Sequence, residues 1–171
     1  IALVKDDPGK MKEQLEKIRM QAKKTMDSMS DIVWSLNPRY DNFENILIRM
    51  KQFSSELCEP QQINLIFQIP ENLEGIKLAA DKRKNIFLIF KETINNAVKY
   101  SKGNTIRVEF SIFNQYFKMT ISDNGKGFDQ QEVRMGNGLK NMADRAKNIN
   151  ANLIISSLPG NGTTLELSCP V

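Results

Sequence analysis

The stretch from Lys10 to Leu36 contains no proline or glycine, and it limits the fold more than any other feature of the sequence. Side chains suited to a helix interface recur there at alternating spacings of four and three residues: Met11, Leu15, Ile18, Ala22, Thr25, Met29, Ile32 and Leu36. This spacing predicts a helix with a heptad seam of about four repeats. A helix of this length extends about 40 Å. That exceeds the needs of a small domain, so packing in a bundle or coiled coil is favoured over a helix that lies on its own domain.

The remaining residues alternate between helical and strand patterns. Asn37-Pro38 predicts the end of the first helix, and further helices are expected from Asp41 to Pro60, over 79–101 and over 138–148. Alternating apolar residues predict strands at 63–69, 105–112, 117–121, 153–155 and 163–169. The order α-α-β-α-β-β-α-β-β predicts an α/β (α+β) sandwich in which hairpins dominate.

Composition excludes several classes of protein. The chain has 171 residues and no histidine, which rules out His-based catalytic triads and HExxH zinc sites. Cys58 and Cys169 form no CxxC motif, so neither a disulfide framework nor a structural zinc site is expected. The expected location is therefore the reducing cytoplasm. The 24 basic and 20 acidic residues are scattered along the chain, so no nucleic-acid partner is expected.

The ends of the sequence point to a piece of a longer protein. No apolar run is long enough to span a bilayer, and the first ten residues lack a signal-peptide pattern. The chain is therefore expected to be neither membrane-spanning nor itself exported. Because it opens on the apolar residues Ile1 to Val4 without an initiator methionine, we expect a fragment that begins inside a secondary-structure element.

Six of the nine glycines fall between positions 125 and 162, and such clustering needs a cause. The last cluster is explained by a hairpin turn, while the first two flank residues 128–135 and the second leads into a predicted helix. A helix N-terminus behind glycines suits an anion, although neither GxxxxGK[ST] nor GxGxxG after a strand is present. The three clusters are Asp123-Asn124-Gly125-Lys126-Gly127, Gly136-Asn137-Gly138 and Gly160-Asn161-Gly162.

A polar stripe follows the third predicted helix, where Glu92, Asn96 and Lys99 stand at i, i+4 and i+7. A solvated helix face gives such a stripe without any function. Its composition also suits chemistry, because a carboxylate can act as a general base, an amide oxygen can bind a hard cation and an ammonium group can neutralise phosphate. The spacing alone leaves both interpretations open.

The order of these motifs carries a family resemblance. The segment Lys91–Ser101, the two glycine clusters at 123–127 and 136–138, and Gly162-Thr163-Thr164 resemble the N, G1, G2 and G3 boxes of the GHKL (Bergerat-fold) ATPases. The likeness is greatest to the catalytic domain of bacterial two-component sensor histidine kinases. Residues 29–38 resemble the end of the second dimerisation helix of such kinases. The resemblance implies a two-layer Bergerat-type sandwich of a mixed sheet and helices in residues 39–171, with residues 1–38 contributing the dimerisation helix.

The resemblance also implies a role for each residue of the first two boxes. Glu92 would be the base or orienting carboxylate, Asn96 would ligate Mg²⁺ and Lys99 would meet phosphate. Tyr100 would pack on adenine, although many close relatives carry histidine there. Asp123 would accept a hydrogen bond from the adenine amino group.

The remaining positions implied by the resemblance surround the nucleotide. Gly125 and Gly127 would form a floor close to the base, and Thr163 would support Asp123 through water. The other glycines, Gly136 and Gly138, would bound a lid over 128–135, with Leu139 counted among the nucleotide-binding residues.

The function implied is that of a histidine kinase using ATP and Mg²⁺. The γ-phosphoryl group would pass to a histidine on an upstream helix that this chain lacks, and then to an aspartate of a response-regulator receiver domain. The full-length protein would be a homodimer through its dimerisation helices, and this chain would be a cytoplasmic portion of a membrane-anchored receptor. Alternatives are another GHKL ATPase such as a clamp, an anti-sigma serine kinase, or a non-enzymatic dimerisation module whose glycines serve only as turns.

Overall fold

The computed structural model describes residues 8–36, 43–70, 78–129 and 137–170. Its helices are α1 (Pro8–Leu36), α2 (Phe43–Cys58), α3 (Ala80–Asn96) and α4 (Asn137–Asn148), with a 3₁₀ turn at Glu59–Gln61 and a π-helical turn at Ala97–Ser101. The strands are β1 (Asn64–Gln68), β2 (Thr105–Phe113), β3 (Tyr116–Asp123), β4 (Asn152–Ser157) and β5 (Thr163–Pro170). Every predicted element is present, and the bounds differ by a few residues.

The described strands form one mixed sheet in the order β1-β2-β3-β5-β4. The chain crosses from β1 to β2 through α3, and these two strands are parallel, whereas the other neighbouring pairs are antiparallel. This arrangement follows from the connections, since a hairpin joins antiparallel strands and a helix is needed to return the chain to a parallel one. The predicted mixed α+β sandwich is confirmed.

One face of the sheet packs on the helices and holds the core. In β2 the side chains of Ile106, Val108 and Phe110 are buried, while the alternating Arg107 and Glu109 lie on the opposite, partly exposed face. The same alternation buries the apolar residues of β3 and β5, because successive side chains of a strand point to opposite faces. The helices supply the second layer of the core: Phe43, Ile46, Leu47 and Met50 from α2, Ile86, Phe87, Ile89, Phe90 and Ile94 from α3, and Met142 and Ala146 from α4.

Helix α1 meets this sandwich at its C-terminal end. The Trp34 ring lies 5.6 Å from the Phe87 ring of α3, and the Arg49 guanidinium of α2 lies 4.6 Å from the Trp34 centroid. Most of the predicted seam makes no such contact, since Leu15 and Ile18 are 60% and 64% exposed. The helix therefore does not lie on its own domain along this part of the seam. The side chains of Ile32 and Leu36 are outside the described part of the molecule.

None of the described helices combines the length and apolar character needed to cross a bilayer.

Candidate functional site

A cavity of about 470 Å³ opens between the sheet, the C-terminal end of α3 and the beginning of α4. This volume is within the range of small-molecule sites. Several of the predicted site residues line it: Glu92, Asn96, Tyr100, Asp123, Gly127, Gly138, Leu139 and Thr163. The lining also includes residues to which the sequence gave no individual role: Thr93, Ala97, Ser101, Ile121, Lys126, Phe128, Asn137, Met142, Ile155 and Leu165.

The inner wall of the cavity is apolar. Ile121 of β3 stands opposite Leu165 of β5, which in turn stands opposite Ile155 of β4, so three neighbouring strands present side chains in one row. Leu139 and Met142 of α4 add to this wall. A flat aromatic ligand that packs on this wall buries apolar surface of its own and of these side chains. Burial of apolar surface is favourable by roughly 25 cal/mol per Å².

The π-helical turn after Asn96 decides which polar side chains reach the cavity. In a regular α-helix Lys99 falls on the side of Glu92, because seven residues make close to two turns. A π-helical turn holds more residues, since its hydrogen bonds run from i to i+5, and the residues after Asn96 therefore lag behind their α-helical positions. Tyr100 consequently lines the cavity beside Asn96, whereas Lys99 is exposed and lies outside the lining.

Asp123 ends β3 with a half-buried carboxylate. Its Oδ1 accepts a hydrogen bond from the Gly125 N–H at 2.9 Å, and the Thr163 N–H also bonds to it. Burial raises the pKa of Asp123, and these two backbone donors lower it in part. When ionised, the carboxylate only accepts hydrogen bonds, so it selects a ligand edge that carries a donor.

The glycines of the first cluster let backbone segments approach closely. A β-carbon at position 125 would collide with the carbonyl oxygen of Ser101, and the Lys126 N–H donates to that same oxygen at 2.7 Å. Gly125 is buried behind the lining, and it joins the end of α3's π-helical turn to the loop after β3. Gly127 has a φ of +58°, and a β-carbon there would collide with the Leu158 carbonyl oxygen. Both positions therefore require glycine for packing.

The second glycine cluster is described only from Asn137 onward. Gly138 lies in the first turn of α4, where a β-carbon would collide with Glu92 Oε1. The Glu92 carboxylate therefore lies beside the N-terminus of α4. Gly136 and residues 130–135 of the predicted lid lie outside the described residues, so the lid remains a prediction.

Thr163 takes part in a hydrogen-bond group that the sequence did not reveal. Its hydroxyl oxygen is 3.0 Å from the hydroxyl oxygen of the buried Ser157. Ser157 also donates to the Gly162 carbonyl oxygen at 2.8 Å and accepts from the Phe128 N–H at 3.0 Å. A serine in the middle of a predicted hairpin carries no sequence signal for such a role.

Within the described ranges, no group of three or more histidine, cysteine, aspartate or glutamate side chains could hold a metal ion. Asn96 offers one amide oxygen at the cavity, which fits Mg²⁺ when ligand phosphates and water complete its coordination.

Comparison with known proteins decides the family. Residues 81–171 match the model of the histidine kinase-, DNA gyrase B- and HSP90-like ATPases. The chain belongs to this family. The match contains every residue predicted to bind nucleotide, from Glu92 to Thr163, and membership makes this an ATP-binding domain.

Curated relatives of this ATPase domain are bacterial sensor proteins. The sensor protein VraS of Staphylococcus saprophyticus is 35% identical over 117 residues, which cover 68% of this chain and 34% of that protein. The VraS protein of Staphylococcus haemolyticus is 38% identical over 108 residues, or 61% of this chain and 28% of that protein. The chain thus spans about a third or less of the length of these relatives.

Solved structures with the same fold are histidine kinases. The histidine kinase domain of the blue-light activated kinase EL346 from Erythrobacter litoralis has a TM-score of 0.66 at 15% identity, over 92% of this chain and 84% of that one. The Acinetobacter baumannii histidine kinase AdeS has a TM-score of 0.67 at 13% identity, over 98% and 86%. At such low identity these likenesses show the fold alone, and it is that of a histidine kinase catalytic domain.

The resemblance read from the four boxes is therefore confirmed for the family and the fold. The non-enzymatic dimerisation module is not favoured, because glycines that served only as turns would not explain a match to an ATPase family.

Proposed function

We propose that this chain is the ATP-binding catalytic part of a sensor histidine kinase. It transfers the γ-phosphoryl group of ATP to a histidine that is not among its 171 residues, and from there the group passes to an aspartate of a response-regulator receiver domain. One observation carries the proposal: the lining of one cavity contains the Asp123 carboxylate as an acceptor for a base, the Asn96 amide, and the Glu92 carboxylate beside the N-terminus of α4.

The inner end of the cavity suits adenine. The row Ile121, Leu165 and Ile155 gives an apolar surface for the ring, and Asp123 would accept from an exocyclic amino group. The exposed ring of Tyr100 is available to cover the base from the open side. Gly127 lines this end, and its lack of a side chain lets the loop pack on the Leu158 backbone.

The outer end suits the phosphates. Free N–H groups at the start of α4 and the positive end of its dipole favour an anion, and Asn137 and Gly138 both line the cavity there. Lys126 lines the cavity from the loop after Asp123, and its long side chain is the cation we expect to reach the phosphates in the role that the resemblance gave to Lys99. Asn96 would hold Mg²⁺, which when bound neutralises phosphate charge.

Glu92 stands at this same end and would act on the phosphate acceptor. A carboxylate there can hold the acceptor imidazole by its N–H and take that proton as the other ring nitrogen attacks the γ-phosphorus. Phosphoryl transfer depends chiefly on positioning and charge neutralisation, so few protein groups are needed.

The rest of the proposal concerns the whole protein. Residues 1–38 would belong to a dimerisation hairpin and residues 39–171 to the catalytic domain, with the exposed Leu15 and Ile18 packing in a homodimer. We place the chain in the cytoplasmic portion of a membrane-anchored receptor, with no nucleic-acid partner.

The test is incubation with radiolabelled ATP of the 171-residue chain and of an N-terminally extended chain that includes the nearest upstream histidine. The extended chain should form an acid-labile phosphoprotein, and the present chain should bind ATP without retaining label. Replacing the upstream histidine is the control and should abolish labelling. Label on the present chain, or on the histidine-replaced extension, would contradict the proposal and favour a serine kinase.

A further inference from the structure

We propose that Ser157 is a positioning residue that sets the donor and acceptor pattern of the base-binding end of the cavity, and so the choice between adenine and guanine nucleotides. The inference rests on the proposed function, because it takes this end of the cavity to bind the base. Ser157 does not line the cavity itself and would act through Thr163.

Ser157 is 7% exposed, and its hydroxyl makes three polar contacts. The Gly162 carbonyl oxygen, at 2.8 Å, can only accept, so Ser157 donates its single proton there. The Phe128 N–H, at 3.0 Å, can only donate, so Ser157 accepts from it. The remaining contact is to the Thr163 hydroxyl at 3.0 Å, and Ser157 has no second proton to give. Thr163 must therefore be the donor in that bond.

The consequence lies on the cavity side of Thr163. Because the hydroxyl proton of Thr163 is committed to Ser157, only its lone pairs are available to a ligand or an ordered water in the cavity. Thr163 stands directly opposite Asp123 in the β3–β5 pairing and donates its backbone N–H to that carboxylate. Two acceptors thus lie side by side at the position of the exocyclic group, where they match the two N–H bonds of the adenine amino group, whereas the guanine carbonyl oxygen there can only accept.

The second consequence concerns the segment that follows the first glycine cluster. Phe128 lines the cavity, and its N–H is held by the same Ser157 oxygen. Ser157 therefore joins both sides of the β4–β5 hairpin to the residue that begins the predicted lid, which is 29 positions away in sequence. A change at Ser157 affects the base-binding end without touching Glu92 or Asn96.

The experiment measures Kd for ATP and for GTP, each with Mg²⁺, by calorimetry on the 171-residue chain and its variants. Ser157→Ala frees the Thr163 hydroxyl to donate into the cavity, so the preference for ATP over GTP should fall by about fivefold. Ser156→Ala is the matched control, since Ser156 is an exposed serine that directly precedes Ser157 on the same strand. That variant should keep the wild-type ratio.

A double-mutant cycle separates this role from general support of the fold. In a Thr163→Val background, where no hydroxyl remains to reorient, Ser157→Ala should leave the GTP to ATP ratio within about twofold. If Ser157→Ala does not fold, Ser157→Cys replaces it, because a thiol has similar shape but is a weak donor and acceptor.

The inference is overturned if Ser157→Ala, or its cysteine substitute, keeps the wild-type ratio, or if its effect is undiminished in the Thr163→Val background. A wild-type chain that binds no ATP would instead contradict the proposed function. A wild-type chain that binds ATP beside a variant with an unchanged ratio contradicts only the role of Ser157.

Discussion

The Glu92 carboxylate of α3 lies so close to Gly138, in the first turn of α4, that a β-carbon at position 138 would collide with its Oε1. The two residues are far apart in sequence, and Gly138 is therefore required to leave space for a side chain of another element. Elsewhere in a helix, glycine is less favourable than alanine by about 1 kcal/mol. The glycine at position 138 therefore preserves the position of the Glu92 side chain.

Gly138→Ala should accordingly separate stability from activity. The added methyl group displaces Glu92, so autophosphorylation of the N-terminally extended chain should fall at least about tenfold. The midpoint of thermal unfolding should stay the same or rise, because alanine favours the helix. Asn141→Ala, an exposed change in the same helix, is the control and should leave both quantities near wild type. Full activity in Gly138→Ala would mean that the position of Glu92 is not important for transfer.

The second prediction is a preference for ATP over GTP. Adenine presents an amino donor to Asp123, whereas guanine presents a carbonyl and places two acceptors against each other. An unpaired polar group in a buried site is unfavourable by roughly 1 to 3 kcal/mol, which corresponds to a preference of at least about fivefold. Calorimetric titration of the 171-residue chain measures it. Equal affinities would remove Asp123 from this role.

The sequence predicts some parts of this site and not others. The alternation of Ile106, Val108 and Phe110 with Arg107 and Glu109 reports directly which face of a strand is buried, so strands and helices were predicted close to their observed bounds. The glycine clusters and the polar stripe likewise indicated the polar residues at the centre of the cavity lining, Glu92, Asn96 and Asp123, because they are local patterns.

The rest depends on relationships between distant segments. The row formed by Ile121, Leu165 and Ile155 exists only because β5 pairs with both β3 and β4, and no local pattern fixes that register. The π-helical turn at Ala97–Ser101 directs Lys99 away from the cavity. Its sequence contains no glycine or proline that would predict a departure from the α-helix. Ser157 was missed because it gains its role from the Phe128 N–H, 29 positions away, and from the way the β4–β5 hairpin closes on Gly162.

The third prediction follows from the raised pKa of Asp123 and concerns stability. A folded-state pKa above the ordinary value of 3.8 means that the folded chain holds this proton more tightly than the unfolded chain does. The contribution of Asp123 to the free energy of unfolding is therefore highest below pH 3.8. It falls as the pH rises through the raised pKa, and at neutral pH the carboxylate is destabilising.

Asp123→Asn should remove this effect while keeping an oxygen for the Gly125 N–H. The variant should bind ATP more weakly and yet unfold at a Tm higher by about 2 °C at pH 7. The difference in Tm should shrink toward pH 3.5, where wild-type Asp123 is protonated. Thermal scans at both pH values measure it, with Asp144→Asn, at an exposed position of α4, as the control. A variant less stable than wild type at pH 7 would show that Asp123 is held by more than its backbone donors.

The last prediction concerns Mg²⁺ and Asn96. The amide oxygen of Asn96 is the side-chain ligand proposed for the cation, so Asn96→Ala should abolish the gain in ATP affinity that Mg²⁺ gives the wild-type chain. The fold should persist, because the residue faces the cavity and not the core. Asn95→Ala is a close control: Asn95 is also half-buried on α3, its amide donates to the Lys91 carbonyl oxygen at 2.8 Å, and it does not line the cavity.

Calorimetric titrations of ATP with Mg²⁺ and with a chelator, supported by circular dichroism, measure both effects. An Asn96→Ala chain that still binds ATP more tightly with Mg²⁺ than without it would contradict the assignment, and loss of helical signal in that variant alone would give Asn96 a structural role.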